Sequence, residues 1–142
     1  MKILFLCTGN SARSQMAEAL LRVMTDGHIK AYSAGTNPKG LHDLSVQVMR
    51  EIGINIAHQD AKDVSLFADE KFDLVITVCD RAREVCPVFP GAKMLHWNIE
   101  DPTDLETFRK VRDEISEQID SLLTSFSSLP IMPQSDSSTA NQ

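Results

Sequence analysis

The chain contains 142 residues and carries a net charge of −6, with 42% hydrophobic and 24% charged residues. This size and balance are typical of a single globular domain and exclude a collagen, a long coiled coil and a wholly disordered chain. No apolar run approaches the ~20 residues of a membrane span, and the acidic balance argues against a nucleic-acid binder. The N-terminal apolar run is too short for a signal peptide, so we expect a cytoplasmic protein.

Predicted strands and helices alternate along the chain. Short apolar runs predict strands at 2–7, 29–34, 74–78 and 94–97. Apolar residues spaced by three and four predict helices at 14–26, 44–52, 81–86 and 105–122, with a further short helix within 61–70. Four strand–helix repeats predict an α/β fold with a four-stranded parallel sheet flanked by helices. Ligands of such sheets bind beyond the carboxyl ends of the strands.

The chain is predicted to divide into one domain, at 1–126, and a C-terminal tail, at 127–142. The tail is rich in serine and polar residues and contains two prolines. This composition is typical of a flexible, disordered segment.

An anion-binding loop is predicted where the first strand meets the first helix. Cys7 ends the strand, and Arg13 opens the helix five residues later. Loop N–H groups and the helix N-terminus attract an oxyanion, and the Arg13 guanidinium can bind it with two parallel hydrogen bonds. The same field favours the thiolate of Cys7, a nucleophile directed at the central atom of the anion. The predicted oxyanion-binding residues are Thr8, Gly9, Asn10, Ser11, Ala12, Arg13 and Ser14, of which Ser14 is placed to donate a hydrogen bond to the Cys7 sulfur.

A candidate general acid follows the fourth strand, at Glu100-Asp101-Pro102. Displacement at a bound oxyanion requires a proton for the leaving oxygen, and a carboxylic acid can supply it. The alternative is that Asp101 and Pro102 only cap the last helix. The carboxyl end of the fourth strand lies at the same sheet edge as Cys7, and this position favours Asp101 as the acid.

These motifs together resemble the low-molecular-weight protein tyrosine phosphatases. The resemblance rests on residues 7–14 (Cys-Thr-Gly-Asn-Ser-Ala-Arg-Ser), on Ser-Ala-Gly at 33–35 and on Asp101-Pro102, and it covers about residues 2–126. It implies a four-stranded parallel sheet flanked by helices. Phosphatases of this family use one catalytic cysteine.

This chain has two further cysteines, Cys79 and Cys86. Cys79 ends the third strand on the ligand side, and Cys86 ends the short predicted helix before Pro87. Two helical turns would separate their Cα atoms by roughly 10 Å, whereas a disulfide needs about 7 Å or less. The pair can therefore join only if the helix unwinds, as in a redox switch. The alternative is that both are buried thiols of the core.

The cysteine arrangement resembles the thioredoxin-coupled arsenate reductases, which use the phosphatase fold. The flanking residues agree at 14–18 (Ser-Gln-Met-Ala-Glu), at Cys86-Pro87 and at His96-Trp97. The resemblance implies that Cys7 attacks arsenate while Asp101 protonates the departing oxygen. Cys79 then attacks Cys7 and releases arsenite, and Cys86 attacks Cys79 to form a disulfide that thioredoxin reduces.

The resemblance also implies ligands and partners. Phosphate or sulfate would bind as an analogue of arsenate, a potassium ion is expected near the loop, and no cofactor is tightly bound. The protein is expected to be a monomer. The candidate potassium ligands are Asn10, Glu18, Ser33 and Asp63.

Three functions are consistent with these residues. The first is an arsenate reductase that uses Cys7, Cys79 and Cys86 in sequence, with weak phosphatase activity as a side reaction. The second is a phosphatase of phosphotyrosine or another phosphomonoester, in which the later cysteines are structural. The third is an oxyanion or thiol sensor that binds without turnover. No tyrosine follows Asp101-Pro102, where phosphatases of this fold often carry aromatic residues, and this absence favours the reductase.

Overall fold

A parallel sheet forms the centre of the computed structural model, which describes residues 1–127. The strands are β1 (Lys2–Cys7), β2 (Lys30–Gly35), β3 (Leu74–Thr77) and β4 (Lys93–His96). The helices are α1 (Arg13–Met24), α2 (Asp43–Glu51), α3 (Asp80–Glu84) and α4 (Leu105–Ser127), and a 3-10 helix (Val64–Phe67) lies between α2 and β3. The predicted fold class, a four-stranded parallel sheet flanked by helices, is confirmed.

The strand order explains where a ligand can bind. The order is β2-β1-β3-β4, and all three neighbouring pairs are parallel. The chain proceeds from β1 to one side and then returns to add β3 on the other, so the order reverses beside β1. Crevices at such switch points, outside the carboxyl ends of the strands, are where open α/β sheets bind ligands. Cys7 is the last residue of β1.

Both faces of the sheet are buried, as expected for a parallel sheet. Alternate residues of β1 point to opposite faces, so Ile3 and Phe5 join one core while Leu4 and Leu6 join the other. The first core includes apolar residues of α1, α2 and α4, and the second packs under the 3-10 helix and α3. The central strands are therefore rigidly enclosed, and the site at their ends has a fixed base.

Two predicted helices are shorter in the structure. Within 61–70 the chain forms only the 3-10 turn at Val64–Phe67, whose N-cap is Asp63. Helix α3 ends at Glu84, so Cys86 lies beyond it rather than at its last turn. Pro87 explains the second difference, because a proline disfavours helical backbone at the residue before it and helices usually end earlier.

Helix α4 continues to Ser127, one residue past the predicted domain boundary. The rest of the predicted tail lies outside the described residues. Among residues 1–127 no helix is both long and apolar enough to cross a bilayer.

Candidate active site

The loop between β1 and α1 has the backbone of an anion-binding loop. Main-chain N–H groups of the segment 36–42 bond the carbonyl oxygens of four loop positions: Thr36 to Cys7, Asn37 to Thr8, Lys39 to Gly9 and His42 to Ser11. In a trans peptide the N–H points opposite to the carbonyl, so the N–H groups of the following residues turn towards the loop interior. Ala12, the N-cap of α1, provides no side-chain cap, which leaves the helix N-terminus available to an anion.

Cys7 lies at the base of this loop and is only 3% exposed. Its sulfur is 2.8 Å from Ser14 Oγ and accepts a hydrogen bond from the main-chain N–H of Asn10 at 3.2 Å. Hydrogen bonds to a thiolate stabilise the charged form, so both contacts favour a nucleophilic sulfur.

The Asn10 side chain positions the Ser14 hydroxyl beside Cys7. The main-chain N–H of Lys62 donates to Asn10 Oδ1 at 2.8 Å, which turns the Asn10 amide group towards Ser14. Asn10 Nδ2 then donates to Ser14 Oγ at 2.8 Å. The Asn10 bond uses one lone pair of Ser14 Oγ and leaves the hydroxyl proton available, so that Ser14 can donate to the sulfur when Cys7 is a thiolate. Asn10 adopts a φ of 48°, a left-handed conformation that asparagine tolerates better than most residues.

Two residues outside the predicted site hold the loop in place. Gln15 Nε2 donates to the main-chain oxygens of Asn10 and Asp60, at 3.0 Å and 2.9 Å. At the end of β2, a Cβ on Gly35 would lie 2.5 Å from Thr8 O, so only glycine allows the loop to approach β2 this closely. Neither Gln15 nor Gly35 is predicted from the sequence to be a binding residue, although Gly35 directly follows the strand predicted at 29–34.

Arg13 and Asp101 meet at the mouth of the loop. Arg13 Nη1 donates to Ile99 O at 2.9 Å, and Nη2 lies 3.7 Å from Asp101 Oδ1. The Arg13 side chain is 15% exposed, whereas that of Asp101 is 80% exposed. Arg13 is thus held against the chain that follows β4, while the Asp101 carboxyl is open to solvent.

Cys79 lies beside the loop. Its sulfur is 3.3 Å from Thr8 Oγ1, and the main-chain N–H of Ala82 donates to it at 3.4 Å. Cys79 is therefore the N-cap of α3, and its sulfur is stabilised by hydrogen bonds from both sides if Thr8 donates.

Cys86 has a different environment, and its predicted placement needs correction. Because α3 ends at Glu84, Cys79 and Cys86 do not share one face of a two-turn helix. Cys86 is half-buried, and its thiol donates to Pro87 O at 3.4 Å. Burial raises the pKa of the Cys86 thiol, so this cysteine is protonated at neutral pH. All three cysteines are free thiols.

The residues predicted to bind potassium already use their oxygen atoms within the protein. Glu18 Oε1 accepts from Ser33 Oγ, and Glu18 Oε2 pairs with Arg22 at 2.6 Å. Asn10 Oδ1 accepts from Lys62 N and from Gln15 Nε2. The carboxylate of Asp63 accepts from Ser65 N, and this hydrogen bond lowers the pKa of Asp63.

Oxygen ligands of a cation need free lone pairs. The contacts above compete with a cation for the oxygens of these residues, and residues 1–127 contain no cluster of His, Cys, Asp or Glu suited to a metal.

Comparisons with known proteins agree with this geometry. Residues 2–129 match the low molecular weight phosphotyrosine protein phosphatase family. An arsenate reductase of Halalkalibacterium halodurans is 41% identical over 126 residues, which cover 82% of this chain and 91% of that protein.

Two solved structures extend the comparison. An arsenate reductase in the phosphate binding state superposes with a TM-score of 0.79 at 31% identity, covering 87% of this chain and 97% of the other. A thioredoxin-dependent arsenate reductase of Corynebacterium glutamicum gives a TM-score of 0.75 at 31% identity, covering 89% of this chain and 61% of the other. On this evidence the chain belongs to the low molecular weight phosphotyrosine protein phosphatase family.

Proposed function

We propose that the chain is an arsenate reductase with a relay of three cysteines. A disulfide forms first between Cys7 and Cys79, and thiol–disulfide exchange then converts it to a disulfide between Cys79 and Cys86. The contact of Thr8 Oγ1 with Cys79 Sγ, at 3.3 Å, carries this proposal, because it sets a second free thiol beside the residue that follows Cys7. A phosphatase of this family needs no such thiol. The relatives named arsenate reductases support the same activity.

The first step is attack of the Cys7 thiolate on arsenic, with arsenate bound in the loop. A sulfur–arsenic bond forms and the bond from arsenic to a hydroxyl group of hydrogen arsenate breaks, and this hydroxyl leaves as water after it takes a proton from Asp101. Arg13 and the loop N–H groups bind the remaining oxygens. Arsenic stays in the +5 state in this step.

The second step transfers electrons. The Cys79 thiolate attacks Cys7 Sγ, a sulfur–sulfur bond forms, and the sulfur–arsenic bond breaks with its electron pair moving to arsenic. Arsenic is reduced from +5 to +3 and leaves as arsenite, while the two thiols are oxidised to a disulfide. The hydrogen bond from Ala82 N holds the Cys79 sulfur beside the loop, where this attack takes place.

The third step returns Cys7 to the thiolate. Cys86 loses its proton and attacks Cys79, which breaks the Cys7–Cys79 bond and leaves a Cys79–Cys86 disulfide. The raised pKa of Cys86 implies that this step accelerates as pH rises above neutrality. An external dithiol of the thioredoxin type then reduces the disulfide, in accord with the thioredoxin-dependent relative. Because the relay requires free thiols, we place this enzyme in the reducing cytoplasm.

Phosphatase activity is the second candidate, and the family match favours it. Cys7, Arg13 and Asp101 would suffice for a cysteinyl-phosphate intermediate followed by hydrolysis. Arsenate and phosphate have nearly the same shape, so slow phosphomonoester hydrolysis is expected of the reductase as well. Only the dependence on Cys79 separates the two functions.

A coupled assay tests the proposal. Purified protein, thioredoxin, thioredoxin reductase and NADPH are mixed, and NADPH loss is followed with and without arsenate, for the wild type and for Cys79→Ser. We expect arsenate-dependent oxidation that falls at least a hundredfold in Cys79→Ser, because the variant stops at the arsenic adduct of Cys7. Turnover that survives in Cys79→Ser, or equal hydrolysis of a phosphomonoester with no NADPH oxidation by either protein, would contradict it.

A further inference from the structure

The Glu18 carboxylate is a buried charge beside the oxyanion loop that the proposed mechanism does not use. Its side chain is 9% exposed, and a buried carboxylate is costly unless it is paired and hydrogen-bonded. Ser33 Oγ donates to Oε1 at 2.5 Å, and Arg22 Nη2 pairs with Oε2 at 2.6 Å. A second cation, Lys62 Nζ, lies 3.9 Å from Oε1.

Lys62 differs from Arg22 in what else it contacts. Arg22 comes from the same helix as Glu18, four residues later, and its side chain is 45% exposed. Lys62 comes from the segment before the 3-10 helix and is 26% exposed. Its main-chain N–H donates to Asn10 Oδ1, and its main-chain oxygen accepts from Gly35 N, both at 2.8 Å. One residue thus links the Glu18 carboxylate to the loop and to β2.

The Lys62 ammonium group has two oxygen neighbours, Asp60 O and Glu18 Oε1. Lys62 Nζ donates to Asp60 O at 2.7 Å while facing Glu18 Oε1. Asp60 O in turn accepts from Gln15 Nε2, which also bonds the main chain of Asn10. A lysine ammonium is a compact point charge with three donors, so it can satisfy oxygen atoms much as a small monovalent cation does.

We infer that the Lys62 ammonium is a built-in cation: it occupies the place of a bound monovalent ion at Glu18 and so positions Asn10 in the oxyanion loop. This inference rests on the oxyanion-binding role given to the loop under the proposed function. Lys62 is a positioning residue, because it reaches the bound anion only through Asn10 and Ser14. The ammonium also places a positive charge 3.9 Å from Glu18 Oε1, which disfavours a second cation at that oxygen.

The test uses Lys62→Ala, which removes the ammonium and leaves space for an ion while keeping both main-chain hydrogen bonds of the residue. Lys62→Arg keeps a cation at this position, and Lys71→Ala removes an exposed lysine elsewhere. For each full-length protein, the thermal midpoint and the affinity for inorganic phosphate are measured by calorimetry. Each measurement is made in potassium, ammonium and choline chloride at equal ionic strength.

We expect the wild type, Lys62→Arg and Lys71→Ala to give the same midpoint in all three salts. In choline chloride, Lys62→Ala should melt about 3–5 °C lower than the wild type, the range for losing one partly exposed ion pair in a domain of this size. Its phosphate affinity should fall roughly 3- to 10-fold, since about 1 kcal/mol corresponds to a factor near 5. Potassium or ammonium should recover part of both losses in Lys62→Ala alone.

Three results would overturn the inference. The first is a rise of the wild-type thermal midpoint in potassium chloride alone, and the second is a Lys62→Ala protein with the same midpoint and phosphate affinity as Lys71→Ala. The third is a Lys62→Ala protein that is destabilised but whose midpoint rises in neither potassium nor ammonium chloride. None of these readouts involves arsenate turnover. If the protein fails the coupled assay but gives the expected salt responses, the proposed function is refuted and the inference about Lys62 still holds. If the wild type binds no phosphate, the loop assignment fails, and the midpoints still test the ammonium.

Discussion

At the scale of single residues, a short chain of hydrogen bonds leads to the Cys7 sulfur. Lys62 N donates to Asn10, Asn10 donates to Ser14, and Ser14 is left to donate to the sulfur. Asn10 is oriented by Lys62 and in turn binds Ser14, whose hydroxyl lies 2.8 Å from the sulfur. Such a chain stabilises a thiolate without a histidine or lysine next to the sulfur.

Ser14→Ala should therefore slow the reaction of Cys7 with iodoacetamide roughly tenfold at pH 7, because a hydrogen bond to a charged group contributes about 1.5 kcal/mol or more. The rate is measured by mass spectrometry in a Cys79→Ser, Cys86→Ser background, where only Cys7 can react. Ser65→Ala, an exposed serine away from the loop, serves as the control. Equal alkylation rates in the two serine variants would show that Ser14 does not activate the sulfur.

At the scale of elements, the site depends on how closely the loop approaches the end of β2. Gly35 pairs with Cys7 in the parallel register and also receives the isolated bridge to Asp63. The residue thus touches β1, the loop and the segment that carries Lys62. A side chain here would push these three pieces apart.

Gly35→Ala should weaken phosphate binding at least tenfold and destabilise the fold by about 1–3 kcal/mol, because the new Cβ would lie 2.5 Å from Thr8 O. Titration calorimetry with phosphate and urea unfolding measure the two effects. Gly91→Ala is the matched control: its φ of 85° strains an alanine, but its Cβ would contact nothing. Gly91→Ala should lower the stability and leave the phosphate affinity unchanged. A Gly35→Ala protein that binds phosphate as tightly as the wild type would refute the role given to Gly35.

Helix α3 is connected to β4 as well as to the loop. His96 Nδ1 lies 2.7 Å from Thr77 Oγ1, and His96 Nε2 lies 3.2 Å from Asp80 Oδ1 without completing a hydrogen bond. Asp80 is the first residue of α3 and follows Cys79. These contacts lie at the start of the short helix that separates Cys79 from Cys86, the two cysteines that the proposed relay would join.

At the scale of the whole molecule, α2 and α4 are joined across the core by a small ionic cluster. Glu51 accepts from Arg109 at 2.7 Å and from Arg112 at 3.0 Å. Hydrogen bonds from Arg109, and then from Arg112, lower the pKa of Glu51. Arg112 is nearly buried and also donates to Val48 O, so it ties the end of α2 to α4.

The sign of the resulting pH dependence follows from linkage. A carboxyl with a lowered pKa in the folded state stabilises the fold above its unfolded pKa, and this contribution disappears as pH falls through the folded pKa. Glu51→Gln should therefore be less stable than the wild type at pH 7, and the difference should be smaller at pH 3. Urea unfolding at both pH values measures it, with exposed Glu117→Gln as the charge control. A difference of the same size at pH 3 would assign the loss to packing instead.

Much of the fold and of the site could be predicted from local patterns. Apolar runs and helical spacing located all four strands and the four main helices, because a parallel sheet buried on both faces requires such runs. Cys7, Arg13 and Asp101 could be placed together because the carboxyl ends of parallel strands share one edge of the sheet. The helix predicted at 81–86 ends earlier, at Glu84, because Pro87 disfavours a helical backbone at Cys86.

By itself, the sequence determined the elements, their alternation and the order of chemistry-bearing residues along the loop, since these depend on neighbours a few positions away. Only the tertiary structure decided which distant groups meet. It placed Thr8 against Cys79 and closed the loop over Gly35. It also set Lys62, rather than a free cation site, beside Glu18. Such contacts join residues tens of positions apart, and they depend on strand order and loop closure, which no local pattern encodes.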